Sequence, residues 1–275
     1  RPGAGTIDSL AVLPFVNAGG DPNAEYLSDG ITESLINSVS QIPGIKVVSR
    51  ASAFHYKGKD VGARTVGREL GVAAVLTGRI VQRGDALSIR AELVDARDDT
   101  HLWGEEYNRR LSDILAVQEE IARDISGKLR QRLTGEEKKR LTRRYTENAE
   151  AYGLYLKGRY HWNKRTGEEI QKGIGYFQQA IEKDPTYALA YAGLADSYVV
   201  LFAYAGLPSS ETFPKAKAAA LKALEIDVEG RTAWAEAGLT TALHEVGYLL
   251  TEHEPEYVVL GVPTGDCCGG EWTHG

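Results

Sequence analysis

Methionine is absent from the 275 residues and cysteine is nearly so, with two in all. Cys267 and Cys268 are neighbours near the carboxyl end. Adjacent cysteines rarely bridge each other, because the Cβ geometry demands a strained turn. They therefore define neither a disulfide framework nor a redox compartment. Cys267, Cys268 and His274 lack the paired spacing of structural zinc ligands, so no metal site is expected there and a loose glycine-rich end is the simpler reading. No run approaches ~18 uninterrupted apolar residues, the length a membrane helix needs. No secretory leader is visible. A chain that begins at Arg1 and holds no methionine reads as part of a longer protein, with anchors or catalytic domains expected upstream.

Catalytic signatures are missing as well. There is no G-x-x-x-x-G-K-S/T phosphate loop, no H-E-x-x-H and no G-x-S-x-G elbow. The loop at Gly19-Gly20 has no lysine partner. His55, His101 and His161 stand alone beside Phe54, Leu102 and Trp162, where packing or surface roles explain them. The sequence thus nominates no catalytic residue, no cofactor-binding residue, no metal ligand and no cofactor.

What is present is a chain that is 43% hydrophobic and 25% charged, as in globular proteins. Its net charge of −6 is unevenly placed: residues 231–275 hold one basic and seven acidic residues, so residues 1–230 are neutral. A neutral body gives no general ground for nucleic-acid binding. It also marks the last 45 residues as different in kind.

The first half has α/β patterning. Leu10 to Phe15 is a short apolar run suited to a strand covered on both faces, with Pro14 ending it. Leu27, Ile31, Leu35 and Val39 recur every four residues and predict a helix capped by Ser28 or Asp29. Pro43-Gly44 precedes a second strand at Ile45 to Val48. Val66 to Leu70 reads as a short helix ended by Gly71. A long β-rich run over residues 72–83 follows, then a turn at Gly84-Asp85. Leu87, Ile89, Ala91 and Leu93 alternate with polar residues, marking a strand with one wet face. With Leu102 to Tyr107 these runs predict an antiparallel meander. Ser112 is placed to cap a helix carrying Ile114, Val117, Ile121, Ile125 and Leu129. The order β-α-β-α-β-β-β-α predicts a mixed sheet with helices packed on it.

The run Leu10 to Phe15, then Tyr26-Leu27-Ser28-Asp29-Gly30-Ile31-Thr32, Glu69-Leu70-Gly71-Val72, Leu76-Thr77-Gly78, His101-Leu102-Trp103 and Tyr107 resemble the TolB amino-terminal-like domain. That domain occurs in bacterial signalling proteins ahead of tetratricopeptide repeats. The resemblance covers residues 7–133 and implies a non-catalytic α/β domain. It also implies an attached kinase, nucleotide-cyclase or winged-helix output domain upstream.

Residues 128–144 carry eight Lys/Arg and two Glu. They read either as a polybasic patch for anionic lipid or nucleic acid, or as a solvated helix joining two domains. The absence of interleaved aromatics and the interruption by Glu136-Glu137 favour the connector, assigned to residues 134–148.

Residues 149–239 resemble tetratricopeptide helical hairpins, about two and a third of them. The pattern places small residues where paired helices cross and bulky ones in the gap to the next pair. Ala190, Tyr191, Leu194, Ala195 and Tyr198 match a first helix. Ala216, Ala220 and Ala223 match its partner, after a turn around Gly206-Leu207-Pro208 read as about nine residues longer than usual, an extension that costs about 1 kcal/mol. Upstream, Gly158, Gly173, Phe177, Ala180 and Pro185 outline the preceding repeat, and Ala233, Trp234 and Gly238 begin a third. So short an array is expected to lean on its neighbours. First helices of such repeats line a groove. The spacing nominates Tyr152, Tyr155, Arg159 and Trp162, with Leu189, Ala192, Asp196 and Val199, as a protein- or peptide-binding set, packing of the aromatics on the linker helix being the alternative.

Residues 240–275 break the pattern. Ala242 to Tyr248 and Glu254 to Gly261 weakly resemble a piece of the haloacid-dehalogenase phosphatases. The nucleophilic Asp-x-Asp motif is absent, so no phosphatase activity is carried over, and a foreign, poorly ordered tail is expected. The combined expectation is an α/β module followed by an all-α repeat array. Its function is a non-catalytic interaction and sensing segment of a bacterial signalling protein, binding a polypeptide without nucleic acid or membrane insertion. The alternative is the regulatory part of a serine/threonine kinase or adenylate cyclase whose catalytic domain lies elsewhere. The periplasmic face of an inner-membrane protein is the expected location, with the cytoplasm as the alternative. Oligomeric state is not fixed by the sequence.

Overall fold

The computed structural model describes residues 7–129 and 134–227. The expected third repeat at Ala233, Trp234 and Gly238, the tail and its Cys267, Cys268 and His274 lie outside the described residues.

The chain opens with β1 (Ser9–Val12) and β2 (Val16–Asn17), then α1 (Glu25–Ser40), β3 (Lys46–Val47), α2 (Arg50–Phe54) and α3 (Ala63–Leu70). Three long strands follow, β4 (Ala74–Arg83), β5 (Ala86–Asp95) and β6 (Thr100–Arg110), and then α4 (Ile114–Lys128) and α5 (Gly135–Leu141). The rest is helical: α6 (Ala149–Trp162), α7 (Gly167–Lys183), α8 (Ala188–Ala205) and α9 (Ser209–Ile226).

The sheet is mixed, in the order β3-β1-β4-β5-β6, with β2 beside the far half of β4. β1 pairs in parallel with β3 and β4. β4, β5 and β6 form the expected antiparallel meander. Alternation decides its faces. Leu10, Val12, Leu76, Ile80, Ile89 and Leu93 turn to one side and pack with the apolar stripes of α1 and α4. Leu27, Ile31, Leu35 and Val39 are wholly buried there, each worth roughly 1.5–3 kcal/mol of transfer free energy. Ala11, Leu13 and Val75 turn to the other side, against Tyr56 and Val66.

Several local readings need correction. α1 starts at Glu25, so Ser28 and Asp29 do not cap it; both are buried inside the helix, and Asp29 holds Lys57 at 2.6 Å. Ser112 does not cap α4 either: it sits in a 3-10 turn, Leu111–Asp113, that leads into the helix. β2 and α2 went unread because each is so short that its periodicity is invisible. The basic connector holds a helix, α5, started by a reciprocal cap: Thr134 N–H donates to Glu137 at 2.7 Å, and Glu137 N–H donates to Thr134 Oγ1 at 3.3 Å.

In the helical half α6 and α7, then α8 and α9, form successive antiparallel hairpins, with α7 packed on α8. Phe177 of α7 is fully buried between two glycines. A Cβ at Gly158 or Gly193 would meet its ring at 2.5 or 2.6 Å. The expected long turn before α9 is only residues 206–208. The surplus residues continue as helix, burying Leu201, until Gly206 at φ 66 stops α8. α8 has a mean hydropathy of 1.4 over 18 residues, long and apolar enough to cross a membrane by composition. Half of it is buried, and it packs between α7 and α9.

Candidate functional site at the junction of sheet and helices

The two halves meet where α6 lies on α1. Gly30 permits the approach: a Cβ there would come within 2.7 Å of Leu156 Cδ2. α1 is buried continuously from Ser28 to Thr32, because its second side faces α6 rather than water. Its polar groups are used inside. Thr32 Oγ1 accepts from Phe15 N–H at 2.9 Å and donates to the Ser28 carbonyl at 2.7 Å.

The next residue, Glu33, receives the helical half. Arg159 Nη2 is 2.6 Å from Glu33 Oε1, and its Nε donates to the same oxygen at 2.9 Å. Arg50 Nε and Asn163 Nδ2 donate to Oε2 at 2.9 and 3.2 Å. Burial opposes ionisation of Glu33, but the Arg159 and Arg50 charges outweigh it and hold the carboxyl below its usual range. Burial likewise opposes the charge on Arg159, and Glu33 more than offsets it. The far side of Arg159 meets Asp196 of α8 at 3.4 Å. Burial dominates at Asp196 and pushes its carboxyl up to about 7, although Arg159 and Arg165 pull the other way. Arg165, held at φ 56, lies 3.6 Å from the Trp162 ring centroid, and Arg159 lies 4.5 Å from the same ring.

The eight nominated residues do not form one open wall. Tyr152 is buried with its hydroxyl 2.9 Å from Ser34 Oγ of α1, and its ring stacks on Tyr155. Tyr155 packs on Phe177 and Tyr187. Trp162 joins Ile170, Ile174 and Leu201. Ala192 and Val199 face Ala216 and Ala223 of α9. Only Arg159 and Asp196 share the polar centre, and Leu189 alone is partly exposed. Tyr152 packs on α1. Glu33, Arg50 and Asn163 were missed by the sequence reading. One signal was available: α1 contains no basic residue and carries Gly30 and Ser34 on the side turned to α6, a composition poorly suited to a water-facing helix surface.

The fold and this junction define a two-part chain, an α/β module with a helical stack clamped to its first long helix. Residues 6–124 match the family described as HilA/YgeH-like transcriptional regulator, second domain. A protein of Rhizobium meliloti (strain 1021) named "Putative adenylate cyclase 3" is 40% identical over 190 residues, covering 68% of this chain. The chain spans 32% of that protein's length. Among solved structures, TolB from Acinetobacter baumannii matches 45% of this chain and 28% of its own at 18% identity and a TM-score of 0.33. Lipoprotein GNA1162 from Neisseria meningitidis matches 46% of this chain and 99% of its own at 23% identity and a TM-score of 0.34. The LpoB C-terminal domain from Escherichia coli matches 38% of this chain and 84% of its own at 18% identity and a TM-score of 0.29.

Proposed function

We propose that this chain is the regulatory, non-catalytic segment of a longer bacterial signalling protein. The hairpins α6–α9 are of tetratricopeptide type and bind a partner polypeptide, and the α/β module couples that event to an output domain. The likeness over 190 residues to a protein named as an adenylate cyclase, of which the chain spans 32%, is the observation that carries this reading. Residues 7–133, 134–148 and 149–239 are the working units of the proposal. Tyr152, Tyr155, Arg159, Trp162, Leu189, Ala192, Asp196 and Val199 contribute to partner binding through the stack they build. Because α1 already occupies Arg159, a partner that engages this face shifts α1, and α1 is the route to the sheet.

The test uses the full-length gene product. Cyclic-nucleotide production is measured for the wild type and for Arg159→Gln or Trp162→Ala variants, with partner capture from the native cell. Altered output together with loss of a captured partner supports the proposal. Unchanged output and unchanged capture in correctly folded variants defeat it. A second reading is favoured by the match of residues 6–124 to a transcriptional regulator's second domain. In that case the output is DNA binding, and reporter transcription replaces the cyclase assay.

A further inference from the structure

The second face of the sheet is covered by α2, α3 and the loop between them over β1, the start of β4 and the end of β5. Beyond that cover lies a cavity of about 400 Å³, walled by Pro14, Tyr56, Lys59, Thr77, Arg79 and Arg90. This volume is within the range of small-molecule sites. The cavity sits past the carboxyl end of the parallel strand β1, where open α/β sheets commonly receive ligands.

Its charge arrangement is unusual. Arg79 and Arg90 are register partners, directly opposite each other across β4 and β5, and both line the cavity. Like charges in that position repel and weaken a sheet. Lys59 brings a third cation from the loop. Asp60 and Glu92 also line the cavity, leaving an excess of one positive charge. Glu92 is engaged by Arg90 at 2.7 Å. The Arg79 side chain makes no hydrogen bond or ion pair with the described residues, its backbone being paired in the sheet. Arg79 and Arg90 line the cavity from adjacent strands and carry forked donors suited to the oxygens of a phosphate or carboxylate, Arg90 while also engaging Glu92. Pro14, Tyr56, Val61 and Leu13 supply an apolar wall beside them.

We propose that this cavity binds a small molecule with a phosphate or carboxylate head, held between Arg79 and Arg90, and a compact apolar body against Tyr56. The ligand neutralises a repulsion built into the β4–β5 pair. Binding here is independent of any output domain, since the chain itself is titrated.

The experiment is calorimetric titration of the 275-residue chain at fixed ionic strength with phenyl phosphate, benzoate and benzylamine. Saturable binding of one phenyl phosphate or one benzoate, with no response to benzylamine, is expected. Arg79→Gln and Arg90→Gln each weaken binding about tenfold or more, while Lys217→Gln on α9 leaves it unchanged. Without ligand, Arg79→Gln melts at or above the wild-type temperature, by about 1–2 °C, because a like charge has gone. Any of four results would overturn the assignment. Three are no saturable response to either anion, equal affinity in Arg79→Gln and the wild type, and a lower ligand-free melting temperature in Arg79→Gln. Equal weakening by Lys217→Gln is the fourth, since that reads general charge rather than the cavity.

Discussion

Arg159 of α6 reaches 2.6 Å from Glu33 of α1 across 126 residues of sequence, and this contact fixes the helical half on the sheet. Both side chains are nearly buried, at 8% and 12% exposure. Removing one member of such a pair leaves the other's charge uncompensated. Arg159→Gln is expected to cost about 3 kcal/mol of stability, read by urea unfolding. A loss below about 0.5 kcal/mol would mean that Arg50 and Asn163 satisfy Glu33 unaided.

Asp196 predicts a pH dependence of definite sign. Its carboxyl rises from 3.8 to about 7 in the folded chain, mainly through burial. A raised acid contributes stability that is full below the unfolded value near 3.8, declines as pH rises, and is gone above about 7. Asp196→Asn does not titrate. It should equal the wild type near pH 4 and exceed it by a margin that grows up to about pH 7, then stays constant, on the order of 3 kcal/mol. Unfolding of both proteins from pH 4 to 8 checks this, and a pH-independent difference would sink it. Glu33 acts oppositely. Its lowered pKa makes its contribution present above 4.5 and lost as pH falls through the folded value.

Gly158 and Phe177 give a packing test. An added methyl at Gly158 would lie 2.5 Å from the Phe177 ring, which is enclosed by α6, α7 and α8. Gly158→Ala is expected to destabilise by about 1–3 kcal/mol despite the better helix propensity of alanine. In the Phe177→Leu background the same change should cost less. Additive losses in the double-mutant cycle would place the two residues out of contact.

Thr32 predicts the cost of an orphaned donor. Its hydroxyl is the acceptor for the buried Phe15 N–H. Thr32→Val keeps the shape and removes the acceptor, and about 1–3 kcal/mol should be lost. Thr32→Ser, which retains the oxygen, should lose less. Equal losses would attribute the effect to packing alone.

Much of the fold was legible in the residues. Alternation over Leu87, Ile89, Ala91 and Leu93 gave β5 and its buried face, since a strand's period of two is a local property. The four-residue recurrence in α1 gave the stripe that covers the sheet. The small-and-bulky spacing of Gly158, Phe177, Ala190 and Ala195 gave the helical hairpins, because close helix crossings require missing side chains at fixed intervals.

Tertiary structure alone decided the rest. Periodicity says that a helix has one buried stripe, but not what covers its other sides, so Gly30 and Glu33 were invisible as docking residues. The spacing that nominated Arg159 for binding could not say that Glu33 of α1 engages it, because that partner lies 126 residues away. The opposition of Arg79 and Arg90 depends on strand register, which the turn at Gly84-Asp85 sets, and the cavity beside them depends on where the loop after α2 comes to rest. Local chemistry wrote the elements and their inner faces. The pairing of faces required the folded chain, because burial of a charged or polar group is decided by what reaches it from elsewhere in the molecule.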